Sequence, residues 1–294
     1  MDIIQRLGAI RVMLDRAIPG FLPESTGPAH RLLEAMRYST SGGKRIRGFI
    51  TIQAAAAFGM ETDQVLPAAV AMELMHAASL IHDDMPCIDD SPTRRGVSSC
   101  HMQFDEHTAL LAGDALIIKA FELLAQIKDS PARPEAVVRV IGEFAQATGA
   151  TGLIGGEAAD IEGERQPVNE EMLSFIHINK TAKLIVAAAR TGAILAGADE
   201  DALGILTEYA HHLGLLFQIT DDILDATATE AQLGKPVGAD AAAQKMTYPA
   251  LMGVEGARRR ADEIGQMAVV AAEKLPDGSD VWIPLVHLVI ARQS

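Results

Sequence analysis

Aromatic side chains make up only 4% of this 294-residue chain, and runs alternating apolar with polar over the length of a strand are hard to find. Alanine, leucine, glutamate and methionine are abundant instead, which argues against a sheet-dominated fold and predicts an all-α protein with one extended core. There is no repeat of fixed period, no low-complexity run and no clear linker, so residues 1–294 are expected to form a single domain. Cysteine is scarce, at two residues, Cys87 and Cys100. That is too few for a disulfide framework or a zinc-ligand pattern and fits a reducing compartment. Positive charge is in deficit: the formal net charge is -14, which argues against nucleic acid, a partner that needs a basic face to replace its counterions. Also missing are the charged-then-apolar order of a signal sequence at the N-terminus and any uninterrupted apolar stretch near the roughly eighteen residues of a membrane span. The expectation is a cytoplasmic protein without an integral membrane segment.

What is present is charge placed at the ends of apolar segments. Residues 65–82 are apolar almost all round, the pattern of a helix buried inside a bundle, and they end at Asp83-Asp84 before Pro86 stops the helix. Adjacent carboxylates at the buried end of a core helix repel each other and lose hydration, so they stay ionised only beside cations. Asp89 and Asp90 add further charge. A second cluster follows Phe217-Gln218, where Asp221, Asp222 and Asp225 are spaced to project from neighbouring positions on one helical face. An isolated Asp-Asp pair is usually a solvated helix end. Two such clusters on two apolar helices can instead face each other across a cavity. Their hard oxygens, with no Cys/His set nearby, suit Mg²⁺, which keeps several waters and takes its other ligands from substrate phosphate. The pair reads as a diphosphate–metal clamp.

Basic residues are concentrated locally. Lys44, Arg45 and Arg47 follow Gly42-Gly43, where a new helix is expected to begin and free amides would favour phosphate; Arg94 and Arg95 form a second group. Taken alone, the first group would more often be a basic surface loop, His76 a satisfied core histidine and Lys180 a solvated lysine. His76, however, lies seven residues before Asp83, on nearly the same helical face, and can donate to an anion. Further helices are expected over 2–18, 31–38, 49–58, 135–159, 170–196, 200–225, 254–274 and 281–292, and through Gly113. Gly155 and Gly156 are expected to allow close helix contact, residues 160–169 to form a polar loop, and 226–247 a mobile flap.

Together these stretches resemble the short-chain trans-polyprenyl diphosphate synthases. The matching residues are Gly43-Lys-Arg-Ile-Arg47, Asp83-Asp84 to Asp89, Arg94-Arg95-Gly96, Ala112-Gly-Asp-Ala115, Asn179-Lys-Thr181, and Phe217-Gln218 with Asp221-Asp-Ile-Leu-Asp225, in family order from about residue 30 to 250. The resemblance implies an isoprenoid-synthase-like helical bundle around a deep central cavity, assembled as a homodimer. It also implies that Lys44, Arg47 and His76, with Arg95, bind isopentenyl diphosphate. Asp83, Asp84, Asp89, Asp221, Asp222 and Asp225 would hold Mg²⁺ bridging the allylic diphosphate, which Arg94, Lys180 and Lys235 would neutralise. Thr181 and Gln218 would place oxygens beside the developing allylic cation. Gly48 stands where the family often has proline, Ala182 where glycine is common, Ser91-Pro-Thr93 where the run is more acidic, and Glu157 where glutamine is frequent.

The implied chemistry is ionisation of an allylic diphosphate, attack by the alkene of isopentenyl diphosphate and loss of a proton. Water would quench the cation, so apolar helices must exclude it. A class I terpene cyclase shares the first step but normally has a different second metal motif and no second diphosphate site. A non-catalytic regulatory subunit often loses an aspartate motif, and both remain here. For product length, enzymes of this kind that stop at fifteen carbons often carry a bulky aromatic five residues before the first aspartate. Here that position is Ala78, followed by Ser79, with Met75 and Met72 deeper along the helix. Geranylgeranyl diphosphate is therefore expected over farnesyl diphosphate.

Overall fold

The apolar run before the first aspartates forms helix α4 (Thr62–Asp83). Its N-terminus is closed by a reciprocal pair: the Glu61 side chain accepts from the Gln64 backbone and the Gln64 side chain from that of Glu61. Val65, Val70, Met72, Leu74 and Ala78 along it are fully buried. The helix does pass the length and hydropathy test for a membrane span, with a mean hydropathy of 1.4 over eighteen residues, which corrects the expectation of no such stretch. Polar Glu73 and His76 interrupt the run without ending the helix. Because 67% of that window is buried inside the protein, α4 is the bundle's central core helix.

This computed structural model describes residues 2–127, 134–164, 166–227 and 245–291. Ahead of α4 come α1 (Ile3–Phe21), α2 (His30–Ser39) and α3 (Ile46–Ala57). After it come β1 (Thr93–Arg94), β2 (Val97–Ser98), α5 (Cys100–Gln103), α6 (Glu106–Ala125), α7 (Pro134–Thr148), α8 (Leu153–Gly163) and α9 (Glu170–Ile176). A π-helical turn (His177–Ala182) leads into α10 (Lys183–Leu195), followed by α11 (Glu200–Thr227), α12 (Tyr248–Ala272) and α13 (Ile283–Ile290). The largest packing interfaces are α11 on α12, α4 on α6 and α10 on α3. One hydrophobic cluster runs through all of them, from Ile3 to Val289.

The all-α expectation holds, with four local differences. The helix expected over 135–159 is broken between Thr148 and Leu153, so Asp160, expected in a loop, sits on α8. The helix expected over 170–196 contains the π turn. That turn is pinched from both sides by glycines: a Cβ on Gly156 would lie 2.2 Å from the Lys180 nitrogen, and one on Gly214 would lie 2.6 Å from the Ala182 Cα. Gly156 thus provides the close contact expected of it. The last long helix begins at Tyr248, capped by the Thr247 side chain, and breaks direction at Gly253. Finally, β1 and β2 form a small antiparallel hairpin through Arg95-Gly96. Both residues have positive φ, 55° and 78°, as a two-residue type I′ turn requires.

Candidate active site

The C-terminal end of α4 faces the π turn and α8 across a set of alternating charges. Lys180 Nζ lies 2.6 Å from Asp160 and 2.7 Å from Glu157, both on α8. Lys245 Nζ lies 2.8 Å from Asp89 and 3.6 Å from Asp160. Asp83 feels the charges of Lys180, Asp89 and Arg94 and lies beside Glu157. Burial, then repulsion from Asp89, raises the Asp83 pKa against the pull of the two cations. Glu157 is pushed up to about 7, chiefly by burial; Lys180 opposes the shift and Asp83 adds to it. These carboxylates are more crowded than their lysines can neutralise, and they consist of hard oxygens only. That is an environment a divalent cation suits. Among the described residues no three His, Cys, Asp or Glu groups form a ready-made cage. A metal here would therefore share its coordination with substrate, as Mg²⁺ does.

Glu157 supplies a stability prediction. Its folded-state pKa lies above the ordinary carboxylate value, so the folded chain binds the proton more tightly than the unfolded one. Stability from this group is fully present below about pH 4.5 and is lost as pH rises through about 7. Glu157→Gln should remove this part of the pH dependence and raise the melting temperature of the ligand-free protein near pH 8, read by thermal denaturation across that range.

The two aspartates of each pair stand in different surroundings. Asp84 is 2% exposed, and both its oxygens accept from Arg94, at 3.0 Å and 3.2 Å from Nε. Asp222 is 3% exposed; its Oδ1 accepts from Gln218 Nε2 at 3.0 Å and its Oδ2 from the Tyr248 backbone at 3.0 Å, with His177 Nε2 3.4 Å away. Neighbouring residues on a helix point about 100° apart, so Asp221 stays half-buried while Asp222 turns into the packed helices. Asp84 and Asp222 are each engaged by neighbouring protein groups. Asp222 fixes the Gln218 amide with its nitrogen inward, so that Oε1 accepts from the Thr181 hydroxyl at 2.7 Å. The Thr181 lone pairs are thereby left as acceptors, the orientation that suits a neighbouring cation. Asp225, one turn on, is buried at 3%. Lys235, expected on the allylic diphosphate, lies outside the described residues, as do 228–244 of the expected flap.

Basic residues gather around His76 on α4. Arg47 is half-buried at the start of α3, and its Nε has no hydrogen-bond partner among the described residues. Burial lowers its pKa, the charges of Glu73 and Asp221 oppose that shift, and Arg95 adds to it. Arg95 Nη1 donates to the carbonyls of Ser41 at 2.9 Å and Gly42 at 3.1 Å, which ties the hairpin to the glycine turn beside Lys44. Burial, followed by Arg47, Arg95, Arg94 and Arg45, holds His76 neutral, well below its ordinary pKa. Arginines and a neutral imidazole converging in this way make a receptor for an anion. Along α4, Met72 and Ala78 are fully buried and Met75 is 3% exposed, while the half-buried Ser79 donates to the His76 carbonyl at 3.0 Å.

Sequence reasoning missed Lys245, Asp160 and the π turn. Lys245 had a signal, since it precedes the Thr247 cap of α12; the π turn had none, because it depends on glycines on two other helices.

One cluster rich in carboxylates and lysines and another rich in arginines thus gather about one apolar core helix, an arrangement suited to an enzyme with anionic substrates. The sequence profile of the polyprenyl synthetase family matches residues 29–275. The chain is 44% identical over 97% of its length to the heterodimeric geranylgeranyl pyrophosphate synthase large subunit 1 of Arabidopsis thaliana, covering 76% of that protein. It is 40% identical to the farnesyl diphosphate synthase of Geobacillus stearothermophilus, over 88% of each chain. Its fold superposes on the crystal structure of an FPP/GFPP synthase from Zymomonas mobilis with a TM-score of 0.86, at 31% identity and 98% coverage of both chains. The chain belongs to the polyprenyl synthetase family and is a prenyltransferase.

Proposed function

We propose that the protein condenses isopentenyl diphosphate with allylic diphosphates and that its main product is geranylgeranyl diphosphate. The observation that carries this reading is the position of Arg47, within electrostatic reach of both Asp221 and Arg95. It lies where the carboxylate side and the arginine side of the site meet, so two diphosphates bound there would have their reacting ends adjacent. The names of the Arabidopsis, Geobacillus and Zymomonas relatives are consistent with this substrate class.

Asp83, Asp89 and Asp221, with Asp225 one turn on, are the residues that would hold Mg²⁺, which when bound supplies electrostatic stabilisation of charge gathering on the departing diphosphate. Lys180 and Lys245, paired with carboxylates in the ligand-free chain, would neutralise the allylic diphosphate with the part-exposed face of Arg94, the role the resemblance also gives Lys235. Thr181 and Gln218 direct oxygens at the electron-deficient carbon, and the buried wall of α4 keeps water away from it. Lys44, Arg47, Arg95 and neutral His76 hold isopentenyl diphosphate. Lys44→Ala or Arg47→Ala should therefore raise the KM for isopentenyl diphosphate and leave that for the allylic substrate nearly unchanged. The opposite selectivity would show that the two sites are exchanged. Chelation of divalent metal should abolish turnover and added Mg²⁺ restore it.

The same reading places the enzyme in the cytoplasm as a homodimer. Leu110, Leu111 and Ile118 lie on α6, and they are 48%, 53% and 69% exposed, a patch suited to a second copy. Sedimentation equilibrium should return the mass of two chains; the mass of one chain at micromolar concentration would contradict it.

A further inference from the structure

Two buried charges remain unused by this chemistry. Arg45 and Glu73, each 3% exposed, lie between the basic loop and α4. Arg45 directs its guanidinium at Asp15 Oδ1, 2.8 Å away, at the Thr40 carbonyl, 2.6 Å away, and at Glu73 Oε2, 3.5 Å away. Glu73 Oε1 accepts from the Gly48 backbone nitrogen at 2.8 Å. An ion pair this deep is costly to desolvate and contributes little net stability, so its effect is better sought in geometry.

Gly48 is the third residue of α3, and Arg45 at the N-cap position offers no side-chain cap. The first amides of a helix need acceptors from elsewhere, and a carboxylate there also faces the positive end of the helix dipole. Glu73 supplies both from a neighbouring helix. Arg45 itself has φ 56°, a left-handed conformation that a side chain disfavours unless its surroundings hold it there. Lys44 precedes this residue, Arg47 follows two positions later, and Glu73 lies one helical turn before His76 on α4.

We propose that Glu73 is a positioning residue for the isopentenyl diphosphate site: by capping α3 at Gly48 and pinning Arg45, it fixes Lys44 and Arg47 in register with His76. The proposal rests on reading those three residues as that site. Gly48 makes the device possible, since a proline at this position would have no N–H to donate.

Steady-state kinetics with each substrate varied in turn, together with calorimetric binding of isopentenyl diphosphate alone, test it. Glu73→Ala should raise the KM and Kd for isopentenyl diphosphate about tenfold, equivalent to about 1.4 kcal/mol. The allylic KM and the saturated kcat should stay within about twofold. Glu73→Gln keeps an acceptor for Gly48 but loses the ion pair, and should give a smaller rise of about threefold with unchanged circular dichroism; this variant carries the test if the alanine variant does not fold. Isopentenyl diphosphate binding within twofold of wild type in the folded variants, or equal loss for both substrates, overturns the proposal. If Arg47→Ala weakens the allylic substrate instead, the site assignment fails first, and the proposal falls with it.

Discussion

Asp83→Ala and Asp221→Ala should each lower turnover by roughly a hundredfold to a thousandfold, the scale on which losing one stabiliser of developing charge registers. Asp83 closes α4 and Asp221 lies on α11, so each variant removes one side of the proposed clamp. Asp222→Asn gives the contrast, because this residue is held by Gln218, the Tyr248 backbone and His177. Its variant should keep the wild-type Mg²⁺ requirement while losing thermal stability and the fixed Gln218 amide. Asp221→Asn should raise the Mg²⁺ concentration needed for half-maximal rate. The measurement is a Mg²⁺ titration of initial rate alongside thermal denaturation of each variant. Near-normal turnover in folded Asp83→Ala or Asp221→Ala would sink the clamp.

Product length should respond as strongly to two positions on α4. One isoprene unit spans about three helical residues at roughly 1.5 Å each, so a tail growing away from Asp83 passes Ala78 first and Met75 one unit later. Ala78 is small, so its own side chain offers no bulk against a fifteen-carbon chain; Met75, 3% exposed and flexible, is the next barrier. Ala78→Phe should shift the product to fifteen carbons and Met75→Ala to chains longer than twenty, read by chromatography of the hydrolysed alcohols. A wild-type enzyme that accumulates only fifteen carbons with saturating isopentenyl diphosphate would refute the ruler.

Much of this site was legible in the sequence because its ingredients are extreme: adjacent carboxylates at the end of an apolar helix, and three basic residues after two glycines. The all-helical fold followed from composition. Which aspartate of each pair is taken up by protein partners was not legible, since that depends on which side of the helix its neighbours pack, and only the structure shows Arg94 on Asp84 and Tyr248 on Asp222. The Asp160–Lys180 pair was hidden for a similar reason. It requires α8 to run on through Gly163 and the π turn to close against Gly156. The Arg95-Gly96 hairpin was likewise not read, because its two-residue turn is fixed by the positive φ of both residues.

The central claim is that this chain joins two diphosphate-bearing substrates rather than cyclising one. The direct measurement is incubation of the purified protein with Mg²⁺, labelled isopentenyl diphosphate and, in separate reactions, each allylic primer, followed by separation of products by length. The account predicts label in an acyclic diphosphate of twenty carbons, only when both substrates and Mg²⁺ are present. A cyclic hydrocarbon formed from the allylic substrate alone, or no incorporation of label with any primer, would contradict it.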